Sequence, residues 1–146
     1  MTIDLSKNAV SVIGLGTMGH GIVQTFALAG YQVKAFDGNS QAVLQLHQRI
    51  AANVAKMQDL GVIDQVNIVA LLSRIQCCTA ESAVLIDSQF ITDAIAEDLL
   101  IKQDFFASCE YLVAPDTILA SNTPSFPMSK IAIPLEYPDR AINTYW

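Results

Sequence analysis

Val10-Ser11-Val12-Ile13-Gly14-Leu15-Gly16-Thr17-Met18-Gly19-His20-Gly21 reads as a short buried strand, a tight glycine turn and the first turn of a helix. The spacing is G-x-G-x-x-G, the arrangement that cradles the pyrophosphate of a dinucleotide. Gly14 permits the turn out of the strand. Gly16, without a side chain, lets the backbone approach the pyrophosphate, and Gly19 lets the helix pack close to the sheet. The helix then offers unpaired N–H groups and its positive dipole end to the phosphates. Three glycines at this spacing also recur in unrelated loops, so the surrounding chain decides.

The flanking sequence supplies that context. Met18–Ala29 carries Ile22, Val23, Phe26 and Ala29 at helical spacing and stops at Gly30. Tyr31–Phe36 is a second apolar strand, and it ends at Asp37, twenty-one residues beyond Gly16. A carboxylate there accepts hydrogen bonds from adenosine ribose hydroxyls and repels a 2′-phosphate, which favours NAD over NADP. Without such a ligand, Asp37 reads as a turn former ahead of Gly38-Asn39.

The rest of the chain extends the alternation. Ser40, a plausible N-cap, opens a helix running to about Leu60, with Val43, Leu44, Leu46, Ile50, Val54 and Met57 as its apolar stripe. Gly61 breaks it, and Asp64 is placed to cap a second helix through about Ser73. These two form a helical hairpin inserted after the second strand. Strands follow at Arg74–Cys78, Gln89–Ala96, Thr117–Ala120 and Arg140–Tyr145, with a short helix or turn at Thr79–Leu85 and helices from about Asp98 to Val113 and at Met128–Ile133. The expected fold is therefore α/β, a Rossmann-type doubly wound parallel sheet carrying that insertion. Residues 1–146 make one domain, expected to be the N-terminal part of a longer protein because the chain stops at its last strand.

Composition narrows the class. Hydrophobic residues make up 52% of the 146, which suits a well-buried core. The net charge is −6 and the few basic residues are scattered, so no nucleic-acid face or polybasic membrane patch is expected. No apolar run approaches the ~20 residues of a membrane span. The N-terminal Met1–Lys7 lacks the pattern of a secretory leader. Cys77-Cys78 and Cys109 have no zinc spacing, so free thiols in a reducing cytoplasm are expected, and no metal. His20 and His47 have no partner at metal or triad spacing.

Ligands in such sheets sit outside the C-terminal ends of the strands. Two polar groups qualify: Ala96-Glu97-Asp98 after the fourth strand and Ser121-Asn122-Thr123 after the fifth. Lys102 falls five residues beyond Glu97, where without a ligand it is a solvated helix-face lysine.

Taken together, Val12–Ile22, Asp37, Ala94-Ile95-Ala96-Glu97-Asp98-Leu99-Leu100-Ile101-Lys102 and Ile118-Leu119-Ala120-Ser121-Asn122-Thr123 resemble the NAD-binding domain of the 3-hydroxyacyl-CoA dehydrogenases, over almost the whole chain. The resemblance implies oxidation of the 3-hydroxyl of an acyl-CoA with hydride passing to NAD. It implies that Gly14, Leu15, Gly16, Thr17, Met18 and Gly19 hold the pyrophosphate and Asp37 the adenosine ribose. Ala96, Glu97 and Lys102 would line the nicotinamide-side ribose, with Asn122 near nicotinamide and substrate. The acyl-CoA would lie against the helical hairpin, with Lys56 near a CoA phosphate. A helical substrate and dimerisation domain would follow Trp146.

Two positions depart from the family pattern. Its serine after S-N-T is Pro124 here, with Ser125 next. Its histidine base, at the end of the last strand, is matched by Tyr145, and no histidine lies beyond His47. Ser125 and Tyr145 are the remaining candidates at the reacting end, although an unperturbed tyrosine, with a pKa near ~10, is a poor base at neutral pH. These 146 residues alone are expected to have little or no dehydrogenase activity. Two alternatives stay open: a dehydrogenase of a different hydroxy acid with a rebuilt site, and a non-catalytic NAD-binding module.

Overall fold

Six short strands, all parallel, build one sheet in the order β3-β2-β1-β4-β5-β6. They are β1 (Ala9–Ile13), β2 (Gln32–Phe36), β3 (Ile75–Cys77), β4 (Ser88–Asp93), β5 (Ile118–Ser121) and β6 (Ala141–Asn143). The structure, a computed structural model, describes residues 9–146; Met1–Lys7, read above for a leader, lies outside them. Helices α1 (Gly19–Leu28), α2 (Ser40–Asp59), α3 (Ile68–Leu72), α4 (Glu81–Leu85), α5 (Leu99–Leu112) and α6 (Met128–Ile131) fill the connections. Among the described residues no helix is long and apolar enough to cross a membrane.

The central strands are buried on both faces because both are covered, and alternate apolar residues feed two cores. Val10 and Val12 pack with Ile22, Val23, Leu46 and Leu71 of α1–α3. Ile13, Ile91 and Leu119 pack with Phe106 and Ile131 on the other side. Chain order reverses direction between β1 and β4, the position where such sheets open a crevice at their C-terminal ends.

Element boundaries shift by local chemistry. The α2 cap is Asn39, not Ser40, because the Asn39 side chain accepts from the Gln41 N–H (3.0 Å). The helix expected from Asp64 is only five residues long and starts after Asn67, whose side chain accepts from the Ala70 N–H. The strand expected over Arg140–Tyr145 is only Ala141–Asn143, since Pro138–Arg140 forms a 3-10 turn. Beyond it, the Trp146 ring meets Phe26 of α1 with centroids 5.1 Å apart.

Cys109 is fully buried in the second core. Burial pushes its thiol well above the ordinary value of 9.0, with Glu81 and Asp93 acting in the same sense. A thiol kept protonated only by the fold contributes stability below its ordinary value and loses it as pH rises further. Cys109→Ala should therefore flatten the fall in melting temperature above about pH 9. An unchanged slope in scanning calorimetry would contradict this.

Candidate functional site

The C-terminal ends of the strands form one rung. Phe36, Ile13, Asp93, Ser121 and Asn143 are register partners in turn. The residues immediately after them, Asp37, Gly14, Ala94, Asn122 and Thr144, stand on the rim. Backbone bonds continue the ladder one step onto it: Gly14 N–H donates to Phe36 O, Ala94 N–H to Ile13 O and Asn122 N–H to Asp93 O. The rim is therefore as well fixed as the sheet.

The glycine turn sits at the centre of this rim. Gly14 has φ +91°, a conformation open mainly to glycine, and a Cβ there would lie 2.4 Å from Ala94 O. A Cβ on Gly19 would lie 1.6 Å from Gly14 O, inside the turn's own backbone. A Cβ on Gly16 would meet nothing within 4 Å. Two glycines thus close the turn, and the third leaves its outer side open. The Leu15 side chain is buried in the first core, so only its backbone faces the rim, while Thr17 and Met18 are exposed at the tip.

Asp37 grips this turn. One carboxylate oxygen accepts from the Leu15 N–H (2.7 Å) and the other from the Asn39 N–H (2.7 Å). Each oxygen retains a lone pair for a further donor. A cleft of about 710 Å³ runs along the rim past Gly14, Gly16, Asp37, Gly38, Ala94 and Ala96. Beside it an apolar recess of about 290 Å³ is bounded by Phe36, Asp37, Val43, Leu44 and Cys78. An open-sided glycine, a fixed carboxylate and an apolar recess suit a phosphate-linked nucleoside, so the residues present fit a dinucleotide.

Lys102 is not on a solvated helix face. It is fully buried, with Nζ 2.6 Å from Asp93 Oδ1 and 3.8 Å from Glu97 Oε2. Asp98 caps α5 by accepting from the Ile101 N–H, leaving Glu97 to accept from the Thr123 hydroxyl. This chain of contacts ties the turn after β4 to the loop after β5. Asp93 Oδ2 and Ser121 Oγ are buried without partners in the same row. Asp93 was absent from the residues expected at the site. A carboxylate inside the expected strand Gln89–Ala96, nine residues before a lysine, was the available signal.

The two reacting-end candidates lie apart from the cleft lining. Ser125 is exposed, and its N–H donates to Thr123 Oγ1 (3.2 Å). Tyr145 is 76% exposed, with its hydroxyl 3.5 Å from Asn143 Nδ2. Among the described residues no group of three His, Cys, Asp or Glu side chains is placed to hold a metal.

Comparison with known proteins bears on the same stretch. A family model described as "3-hydroxyacyl-CoA dehydrogenase, NAD binding domain" matches residues 9–146. The chain is 34% identical over 137 residues to the 3-hydroxybutyryl-CoA dehydrogenase of Clostridioides difficile, covering 94% of this chain and 48% of that one. It is 30% identical over 138 residues to the 3-hydroxybutyryl-CoA dehydrogenase of Mycobacterium tuberculosis, with the same coverage of each. The crystal structure of (S)-3-hydroxybutyryl-CoA dehydrogenase from Ralstonia eutropha superposes with a TM-score of 0.86 at 26% identity, over 95% of this chain and 49% of that one. The chain spans about half the length of the curated relatives it matches.

Proposed function

This chain belongs to the 3-hydroxyacyl-CoA dehydrogenase NAD-binding domain family, and from that premise we propose that it supplies the cofactor half of an NAD-dependent oxidoreductase acting on a 3-hydroxyacyl-CoA. When bound, NAD supplies the nicotinamide carbon that accepts hydride from the substrate's hydroxyl-bearing carbon. The protein's part is to seat and orient. Gly14, Gly16, Thr17, Met18 and Gly19, with the Leu15 backbone, hold the pyrophosphate. Asp37 takes the adenosine ribose, and the apolar recess beside it takes the base. Ala96 and Glu97 line the nicotinamide-side ribose, and Lys102 acts on it from beneath through Glu97. Asn122 lies near nicotinamide and substrate, with Ser125 and Tyr145 toward the substrate oxygen. The acyl-CoA lies against α2 and α3, with Lys56 near a CoA phosphate. The unpaired cysteines support a reducing, cytoplasmic setting.

The observation that carries this reading is the Leu15 N–H to Asp37 bond. It joins the phosphate-binding turn and the ribose-binding carboxylate into one rigid unit at the sheet's switch point. Calorimetry tests it: NAD should bind at least about tenfold more tightly than NADP, because Asp37 opposes a 2′-phosphate, and Asp37→Ser should narrow the gap. Absent NAD binding, or equal affinity for NADP, would overturn the assignment. Residues 1–146 alone are expected to produce no NADH from 3-hydroxybutyryl-CoA. Measurable production would place a working base among them, and Tyr145→Phe would then identify or dismiss Tyr145.

A further inference from the structure

Arg49 reaches from the third turn of α2 to the back of the glycine turn. Its Nη1 donates to Leu15 O (2.8 Å), and its Nη2 lies 3.5 Å from Gly16 O and 2.9 Å from His20 Nδ1. The side chain is half-buried, and neither the glycine pattern nor Asp37 calls for it. We infer that Arg49 is a positioning residue for the dinucleotide's pyrophosphate, acting through the peptide planes of the glycine turn. The inference rests on that turn being the pyrophosphate seat.

In a trans peptide the C=O of one residue and the N–H of the next share a plane and point in opposite directions. Leu15 C=O is therefore paired with Gly16 N–H, and Gly16 C=O with Thr17 N–H. A guanidinium holding the two carbonyls from behind turns the two N–H groups away from α2, on a turn where even a Cβ added to Gly16 would meet no heavy atom within 4 Å. It also polarises those donors, since a charged donor on the carbonyl strengthens the N–H of the same unit. Asp37 fixes the preceding plane by taking the Leu15 N–H. Both peptide planes flanking Leu15 are thus held by oppositely charged side chains from different elements.

His20 is the looser member of this clamp. Its Nδ1 lies 2.7 Å from Gly16 O as well as 2.9 Å from Arg49 Nη2. One ring nitrogen cannot donate to the first and accept from the second together. Gly16 O is accordingly shared between His20 and Arg49, and Leu15 O is the fixed anchor of the guanidinium.

The test compares ligands with and without a pyrophosphate. Calorimetry of wild type, Arg49→Met and Arg49→Lys with NAD and ADP-ribose should show each weakened about tenfold in both variants. Adenosine, followed by NMR chemical-shift titration, should change less than about twofold, because it touches no part of the turn that Arg49 holds. Arg49→Lys keeps the charge but cannot span two carbonyls, so it should not restore affinity. The Gly16 and Thr17 amide resonances should move in both variants. If adenosine is weakened as much as ADP-ribose, Arg49 is merely structural and the inference fails. Full affinity in Arg49→Lys also overturns it, because charge alone would then suffice. A wild type that binds no NAD removes the underlying reading as well, whereas NAD bound within twofold by wild type and both variants sinks the inference alone.

Discussion

Gly16→Ala should fold as well as the wild type and bind NAD about a hundredfold more weakly. The two halves of that expectation have separate causes. Gly16 is not among the glycines with positive φ, so alanine adopts its backbone without strain, and the added Cβ meets no heavy atom within 4 Å. Such a replacement usually stabilises by roughly 0.4–1 kcal/mol through the unfolded chain. The open space, however, belongs to the cleft that Gly16 lines. A methyl group there holds a pyrophosphate off the turn's N–H donors. Losing two charge-assisted bonds of about 1.5 kcal/mol each amounts to roughly 3 kcal/mol, or about a hundredfold in affinity. Gly14→Ala and Gly19→Ala should behave oppositely. Their Cβ atoms would lie 2.4 Å from Ala94 O and 1.6 Å from Gly14 O, so both should lower the melting temperature before ligand is considered. Thermal denaturation and NAD calorimetry on the three variants separate the cases. A Gly16→Ala protein that binds NAD normally would remove the pyrophosphate from this turn.

The contrast among these glycines shows how far local sequence reaches. Strand, turn, helix, strand and Asp37 were legible because every link lies within one β-α-β unit, where spacing along the chain fixes position in space. The parallel sheet was legible for the same reason, unit after unit. Contacts closed by packing were not. Arg49 lies 33 residues from Gly16, and only the way α2 folds back over α1 brings them together. Lys102 looked like a surface lysine because its helix starts one residue after an exposed turn. Its inward direction depends on how α5 lies on β4. The cap moved from Ser40 to Asn39 because both types cap helices and the turn geometry after Asp37 chooses between them. The last strand was read too long because Tyr145 is apolar enough to suit a strand, whereas pairing ends at Asn143 and the next ring, Trp146, packs against Phe26.

Lys102→Met should destabilise the protein by about 3–5 kcal/mol, the cost of leaving a buried carboxylate without its cation. Lys102 and Asp93 are both fully buried, and the 2.6 Å contact between them is the closest ion pair described in the chain. Against a total stability of about 5–15 kcal/mol, that loss brings the fold near its limit. The pair is nonetheless poor value as a stabiliser, since Asp93 Oδ2 has no partner and Ser121 Oγ beside it has none either. Replacing both charges at once, in Asp93→Val with Lys102→Met, should therefore return stability to within about 1 kcal/mol of wild type. What it should not return is ligand affinity. Glu97 would keep only its bond to the Thr123 hydroxyl and lose the cation 3.8 Å below it, and the turn after β4 would lose its tie to the loop after β5. Urea denaturation of the singles and the double, read beside NAD calorimetry, distinguishes the two functions of the pair. If Lys102→Met is as stable as wild type, the buried ion pair does not hold the end of β4. If the double variant binds NAD with full affinity, Lys102 has no part in orienting Glu97.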